Sequence, residues 1–218
     1  MKSEKIELVV VGAGGFGREV IWQIERNKEL METYSILGFV DDSLCGGEVN
    51  GYPVVGNLVW LAAQTKKMAV VVAIGNAVVR KRIASELMKN ANLMFPSLVA
   101  DNVIGSNLLT IGKGSIICLG TIATVNISIG EFCIINLAST IGHDVVIEDF
   151  VTVYPGANIS GNVTIHETTE IGTGAKIIQG KEIGANTVIG AGTVVIRDIP
   201  EGVTAVGNPA RIVKSNSL

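Results

Sequence analysis

From Ile111 to Val195 an aliphatic residue returns at every sixth position: Ile111, Ile117, Ala123, Ile129, Ile135, Ile141, Ile147, Val153, Ile159, Ile165, Ile171, Ile177, Ile183, Ile189 and Val195. Fourteen of these fifteen are Ile or Val, and the exception, Ala123, is small and apolar. The next residue is often glycine, as at Gly112, Gly130, Gly142, Gly172, Gly184 and Gly190, and the residue four on is usually small or β-branched. A period of six fits neither an α-helix, which repeats at 3.6, nor a half-buried strand, which repeats at 2. It fits a solenoid of short parallel strands that turns every sixth residue. Three hexads close one triangular coil, so residues 18 apart stack, and each coil turns three aliphatics inward. Burying each is worth roughly 1.5–3 kcal/mol, and β-branched side chains suit a pleated, packed wall. The fifteen hexads make five coils, with Ile104-Gly105 expected as an earlier, out-of-phase rung.

The chain of 218 residues has room for one large or two modest domains, and 48% hydrophobic residues against 17% charged supply an ample core. A net charge of −3 without any basic run argues against a nucleic-acid partner. Cys45, Cys118 and Cys133 lack metal-ligand spacing, and the two inside the repeat are expected as buried thiols. No signal peptide is evident in residues 1–5 and no apolar run approaches 18 residues, so a cytoplasmic protein with no membrane insertion is expected.

Ahead of the repeat, Ile6 to Val11 reads as a buried strand, followed by Gly12-Ala13-Gly14-Gly15-Phe16-Gly17 and a helical pattern through about Lys28. Gly12, Gly14 and Gly17 satisfy G-x-G-x-x-G, in which a strand, a glycine turn and a helix N-terminus cradle an anion on free backbone N–H groups. The same glycines also serve a plain tight turn. A second strand over Ser35–Val40 ends in Asp41-Asp42, where an acid is placed to hydrogen-bond a ribose hydroxyl, or simply to be solvated in a loop. A further strand over Ala69–Ile74 closes on Gly75-Asn76, and a helix is expected from Val78 to Lys89. Residues 1–96 therefore read as a small Rossmann-like α/β domain, too short for both halves of a dinucleotide fold, and residues 97–218 as the solenoid with a C-terminal loop.

Two histidines occur. His166 follows Ile165 and is expected as an exposed turn residue. His143 is followed by Asp144, and Gly161 lies one coil above it, 18 residues on. An imidazole beside a carboxylate suits a general base, and a glycine at that height can present an unobstructed N–H to an oxyanion. A surface imidazole on a coil corner is the bland alternative.

Several motifs then occur in order: Gly-Ala-Gly-Gly-Phe-Gly, Phe39-Val40-Asp41-Asp42, Ala73-Ile74-Gly75-Asn76 with Arg80, Ile135-Asn136, Ile141-Gly142-His143-Asp144, Tyr154-Pro155-Gly156-Ala157 and Gly207-Asn208-Pro209-Ala210. Together they resemble, over nearly the whole chain, the bacterial hexapeptide-repeat family that joins nucleotide 4-amino-sugar N-acetyltransferases with sialic acid O-acetyltransferases. The resemblance implies a left-handed parallel β-helix, acetyl-CoA as co-substrate bound between subunits of a homotrimer, no metal, and a role in surface glycan biosynthesis. It implies an acetyltransferase acting on the amine of a nucleotide-linked 4-amino-4,6-dideoxy sugar, with sialic acid O-acetylation as the alternative. An NAD-dependent oxidoreductase and a non-catalytic scaffold are the remaining classes. By position, His143 becomes the base, Asp144 its partner and Gly161 the oxyanion donor. Gly14, Gly15, Phe16, Asp41, Asp42, Gly75 and Asn136 become nucleotide-sugar contacts. Thr152, Gly161, Thr173 and Ala191 become acetyl-CoA contacts, with Pro155, Thr173 and Ala191 spaced by 18 along one column. The family often has His where Phe16 and Thr152 stand here.

Overall fold

The computed structural model describes residues 5–44 and 46–215; Cys45 and residues 1–4, part of the stretch read for a signal peptide, lie outside them. The chain divides into two compact units, one of residues 1–75 with 79–96 and one of 76–78 with 97–218.

In the first unit the apolar runs become the central strands β1 (Ile6–Val11), β2 (Tyr34–Val40) and β5 (Met68–Val72). β1 pairs in parallel with both β2 and β5. Leu8 to Val11 and Met68 to Val72 are buried on both faces, as continuous aliphatic runs in a parallel sheet should be. β6 (Leu93–Met94) forms one edge beyond β5, and on the other side β4 (Tyr52–Gly56) pairs with β2 and in an antiparallel hairpin with the edge strand β3 (Glu48–Val49). Helices α1 (Gly15–Arg26), α2 (Lys28–Thr33), α3 (Leu58–Ala62) and α4 (Ala77–Leu87) connect the strands. The first helix does not run on to Lys28 as expected. Asn27 leaves helical geometry and its Oδ1 accepts from Glu29 N (3.1 Å) and Leu30 N (3.2 Å), which starts α2. Asparagine competes with the helix in this way because its short side chain satisfies the orphan donors of the next one.

The second unit is the expected parallel β-helix. The chain visits three sheets in rotation, of eight, six and five strands, and partners on neighbouring coils are 18 residues apart, as in Ile116↔Ile134, Thr140↔Asn158 and Val146↔Thr164. Every hexad aliphatic from Ile117 to Val195 is buried. Ala123 fills little of its slot, while Ile127 puts a large side chain where other hexads carry a small one, and both are buried. The corner is the fourth residue of each hexad. From Gly114 to Gly192 all of these have positive φ, the non-glycines between 51° and 59°. That region is uncommon for side-chain-bearing residues other than Asn and Asp, and Asn126, Asp144, Asn162 and Asn186 occupy four such corners.

The solenoid begins earlier than the six-step pattern suggested. Leu98–Val99 is already a rung, paired with Ile116–Ile117, and Ile104–Gly105 pairs with Ile122–Ala123. Gly105 thus holds the inward slot in phase, correcting the expectation of an out-of-phase rung. Leu109 Cδ2 lies 2.9 Å from where a Gly105 side chain would start, so a neighbour fills the space the missing aliphatic leaves.

Candidate active site

In the first unit, the loops after β1, β2 and β5 leave from the same carboxyl edge of the sheet, where the strand order reverses about β1. Open α/β sheets bind ligands at such a switch point. Backbone bonds from Gly12 N to Val40 O (2.9 Å), Ala73 N to Val11 O (2.9 Å) and Asp41 N to Gly56 O (3.0 Å) tie this edge together. Gly12 needs its glycine, having φ of 99° and Ile74 Cδ1 2.8 Å from where a Cβ would stand, and a side chain on Gly17 would collide with Gly12 O. Gly14, between them, has nothing within 4 Å of where a side chain would start. This is the division of labour of a phosphate-binding glycine turn: one glycine to bend, one to leave room, one to pack. α1 starts at Gly15 with no side-chain cap and no acid in its first turn, so its first N–H groups face outward without a helical partner. Phe16 is half-buried in that turn.

The two aspartates differ. Asp41 uses both carboxylate oxygens on its own domain, Oδ2 accepting from Ala13 N (3.0 Å) and Oδ1 from Ser43 N (2.9 Å). Asp42 accepts from Leu58 N through Oδ1 (2.9 Å) and keeps Oδ2 for another donor. Asp41 therefore braces the glycine loop, and Asp42 is the one with a carboxylate oxygen left over among the described residues. Arg80 is fully buried and donates from Nη1 to Ile74 O (2.7 Å) and Gly75 O (2.9 Å), which holds the turn after β5 by its carbonyls.

In the second unit His143 and Asp144 meet. Adjacent strand residues point to opposite faces, and the positive φ of Asp144 (58°) is what turns its carboxylate back to the imidazole. His143 Nδ1 lies 2.8 Å from Asp144 Oδ2, and Asn126 Nδ2 donates to Asp144 Oδ1 at 3.0 Å. An ionised carboxylate only accepts, so Nδ1 carries the hydrogen, and in a neutral ring the lone pair is then on Nε2. Hydrogen bonds from His143 first, then Asn126, hold the Asp144 carboxyl below the usual carboxylate range, keeping it ionised. Gly161 sits against the ring, and a Cβ there would run into Nε2 and Cε1 of His143. Its backbone N–H has no protein partner among the described residues, whereas the N–H groups on either side bond Ile177 O and His143 O. Two other third-position N–H groups are taken by side chains, Glu131 N by Asp149 Oδ1 and Glu167 N by Glu148 Oε2, whereas that of Thr173, like that of Gly161, has no protein partner among the described residues. A ring nitrogen of His143 and the N–H of Gly161 thus belong to residues in contact.

Asn136 is nearly buried and its Oδ1 accepts from Leu137 N at 2.7 Å. Pro155, Thr173 and Ala191 do stack, through bonds from Gly174 N to Pro155 O (2.9 Å) and Gly192 N to Thr173 O (2.8 Å). Thr173 and Ala191 are exposed, and beside them Gly156, Gly174 and Gly192 have open space where side chains would be. Thr152 stands apart from this column, fully buried on its strand. His166 is not the exposed turn residue expected. It is half-buried, with Nδ1 3.0 Å from Glu148 and Nε2 2.7 Å from Glu182, because the 16- and 18-residue stacking brings those acids alongside. Both ring nitrogens are engaged, which removes it as a competing base. Cys118 and Cys133 are buried thiols. Among the described residues no cluster of three His, Cys, Asp or Glu could hold a metal, and no helix is long and apolar enough to cross a membrane. Sequence reasoning does not single out Asn126, although its place one coil below Asp144 follows from the 18-residue count.

The model of the PglD N-terminal domain family matches residues 7–87. The chain is 36% identical over 110 residues to the GDP-perosamine N-acetyltransferase of Escherichia coli O157:H7; the match spans 50% of this chain and 49%, about half, of that relative. The acetyltransferase domain of PglB from Neisseria gonorrhoeae FA1090, solved in complex with acetyl coenzyme A, is 33% identical, with 96% of this chain and 100% of that chain covered at a TM-score of 0.89. PerB from Caulobacter crescentus, solved in complex with CoA and GDP-perosamine, is 28% identical, with 95% and 97% covered at a TM-score of 0.86.

Proposed function

The chain belongs to the family of acetyl-CoA-dependent sugar N-acetyltransferases that join a PglD-type N-terminal domain to a hexapeptide-repeat β-helix, and from that membership we propose that it transfers acetyl from acetyl-CoA to the amine of a nucleotide-linked 4-amino-4,6-dideoxy sugar. The observation that carries this reading is the pairing of His143 Nδ1 with Asp144 at 2.8 Å beside the unpartnered N–H of Gly161. In the proposed reaction the amine nitrogen attacks the thioester carbonyl and a new N–C bond forms. His143 Nε2 takes a proton from that nitrogen, and Asp144 stabilises the resulting imidazolium. The Gly161 N–H donates to the oxygen as it becomes negative. When the C–S bond breaks, the imidazolium returns the proton to the departing CoA thiolate, and an amide and CoA are left.

The free first turn of α1 and the spare oxygen of Asp42 suit the diphosphate and ribose of a nucleotide-sugar. The exposed column of Thr173 and Ala191 suits an extended pantetheine arm. The reading includes a homotrimer that holds acetyl-CoA between neighbouring subunits, and a place in surface glycan biosynthesis. To test it, radiolabelled acetyl-CoA is incubated with GDP- and UDP-linked 4-amino sugars and with sialic acid. Label in an acid-stable amide on a nucleotide 4-amino sugar is expected, and His143→Ala should lower turnover by about 10²–10⁴-fold, the usual share of a general base. Label appearing only on sialic acid oxygen, or full activity of His143→Ala, would overturn it.

A further inference from the structure

We propose that Asn126 is a positioning residue for the His143–Asp144 pair, an inference that rests on His143 being the base. Asn126 Nδ2 donates to Asp144 Oδ1 (3.0 Å) while His143 Nδ1 lies against Oδ2 (2.8 Å), so the carboxylate is held at both oxygens. The terminal torsion of an aspartate is soft, and a single contact would let the carboxylate plane swing and carry the imidazole with it. The second contact, from one coil below, fixes that plane. His143 and Asp144 are each about half exposed, so packing alone does not hold them.

The backbone supports the same arrangement. Asn126 and Asp144 occupy the same corner of successive coils with φ of 54° and 58°, and Asp144 N donates to Val125 O at 3.1 Å. One coil higher Asn162 continues the column at φ 57°, and its N–H bonds His143 O at 2.7 Å. Asparagine suits any left-handed corner for backbone reasons alone. What separates Asn126 from a mere corner residue is that its amide donor meets the partner of the base. Among the described residues, Asp144 is the charged group in contact with His143, so the orientation of this one carboxylate decides the placement of Nε2.

Two variants separate the roles. Asn126→Gly keeps the left-handed corner without strain and removes the amide. Asn126→Asp keeps the size and the corner tolerance but replaces the donor with a second carboxylate. Both are assayed with acetyl-CoA and GDP-perosamine, or whichever nucleotide 4-amino sugar the acceptor panel identifies, across pH, beside His143→Ala and with melting curves to verify the fold. Asn126→Gly should lower kcat about tenfold at unchanged KM, the scale of one hydrogen bond to a charged group. Asn126→Asp should lower kcat at least as much and move the ascending limb of the rate profile to higher pH, since a second carboxylate favours the imidazolium. Wild-type kcat and limb in both variants, with His143→Ala inactive, would leave the base in place and remove Asn126 from the mechanism. A raised KM at unchanged kcat would make it a substrate contact instead. An active His143→Ala would overturn the base assignment and this inference together.

Discussion

Gly161 shows how one missing side chain defines a site. Its backbone is not in the left-handed region, so any residue could adopt that conformation; what demands glycine is the imidazole of His143 lying where a Cβ would go. Gly161→Ala should therefore fold with a melting temperature close to that of the wild type yet displace the ring from its unpartnered N–H. A kcat lowered on the order of 10²-fold is expected, comparable with loss of one oxyanion donor. A fully active Gly161→Ala would show that the ring and this N–H do not work together. The aspartates carry a parallel lesson. The dipeptide Asp41-Asp42 reads as two equivalent acids, but the main chain claims both oxygens of Asp41 and only one of Asp42. No local pattern distinguishes them, because their partners, Ala13 and Leu58, come from opposite directions along the chain.

At the scale of elements, the hexad corner is the unit that matters. It is too tight for a helix and bends each strand off the last, and its left-handed fourth residue turns Asp144 toward His143. The same stacking builds a rung of charge around His166, between Glu148 and Glu182. The hydrogen bond to Glu182 is the largest cause raising the His166 imidazole above its ordinary value; burial opposes it, and Glu148 adds to the rise. A group raised on folding contributes stability that is fully present below its unfolded value, about 6.5, and is lost as pH rises through its folded value. Melting curves of wild type and His166→Gln should thus differ most near pH 6, with the gap narrowing by pH 9. A gap that is the same at both would mean the carboxylate contacts carry no proton-linked stability.

For the molecule as a whole, the question is what the α/β unit binds. Its fingerprint glycines match those of dinucleotide enzymes, but in the order β3-β4-β2-β1-β5-β6 the side beyond β1 holds only the five-residue β5 and the two-residue β6. Those two strands do not complete the three-stranded second half of a dinucleotide fold. Calorimetry should register GDP or UDP and little NADH. Asp42→Asn should weaken the nucleotide signal without unfolding the loop, since the amide keeps the acceptor for Leu58 N and loses only the spare acceptor. Tight NADH binding with no nucleotide-sugar affinity would favour an oxidoreductase.

The solenoid was legible in the sequence because its periodicity is strict. An inward slot every six residues is filled by Ile or Val at all but one position from Ile111 to Val195, so burial writes itself directly into the residue types. The strand, glycine turn and helix at the start were legible for a related reason, since φ of 99° at Gly12 and the close approach at Gly17 permit no other residue. At Gly105, where the aliphatic is missing, the sequence still suggests a rung but not its phase, which the pairing of Ile104–Gly105 with Ile122–Ala123 decides. The same limit applies to Asn126, to the different duties of Asp41 and Asp42, and to the engaged nitrogens of His166. Each depends on the direction of a polar side chain toward a partner 16 or more residues away. Composition and period carry no record of direction, which coil stacking and loop convergence decide only when the chain is folded.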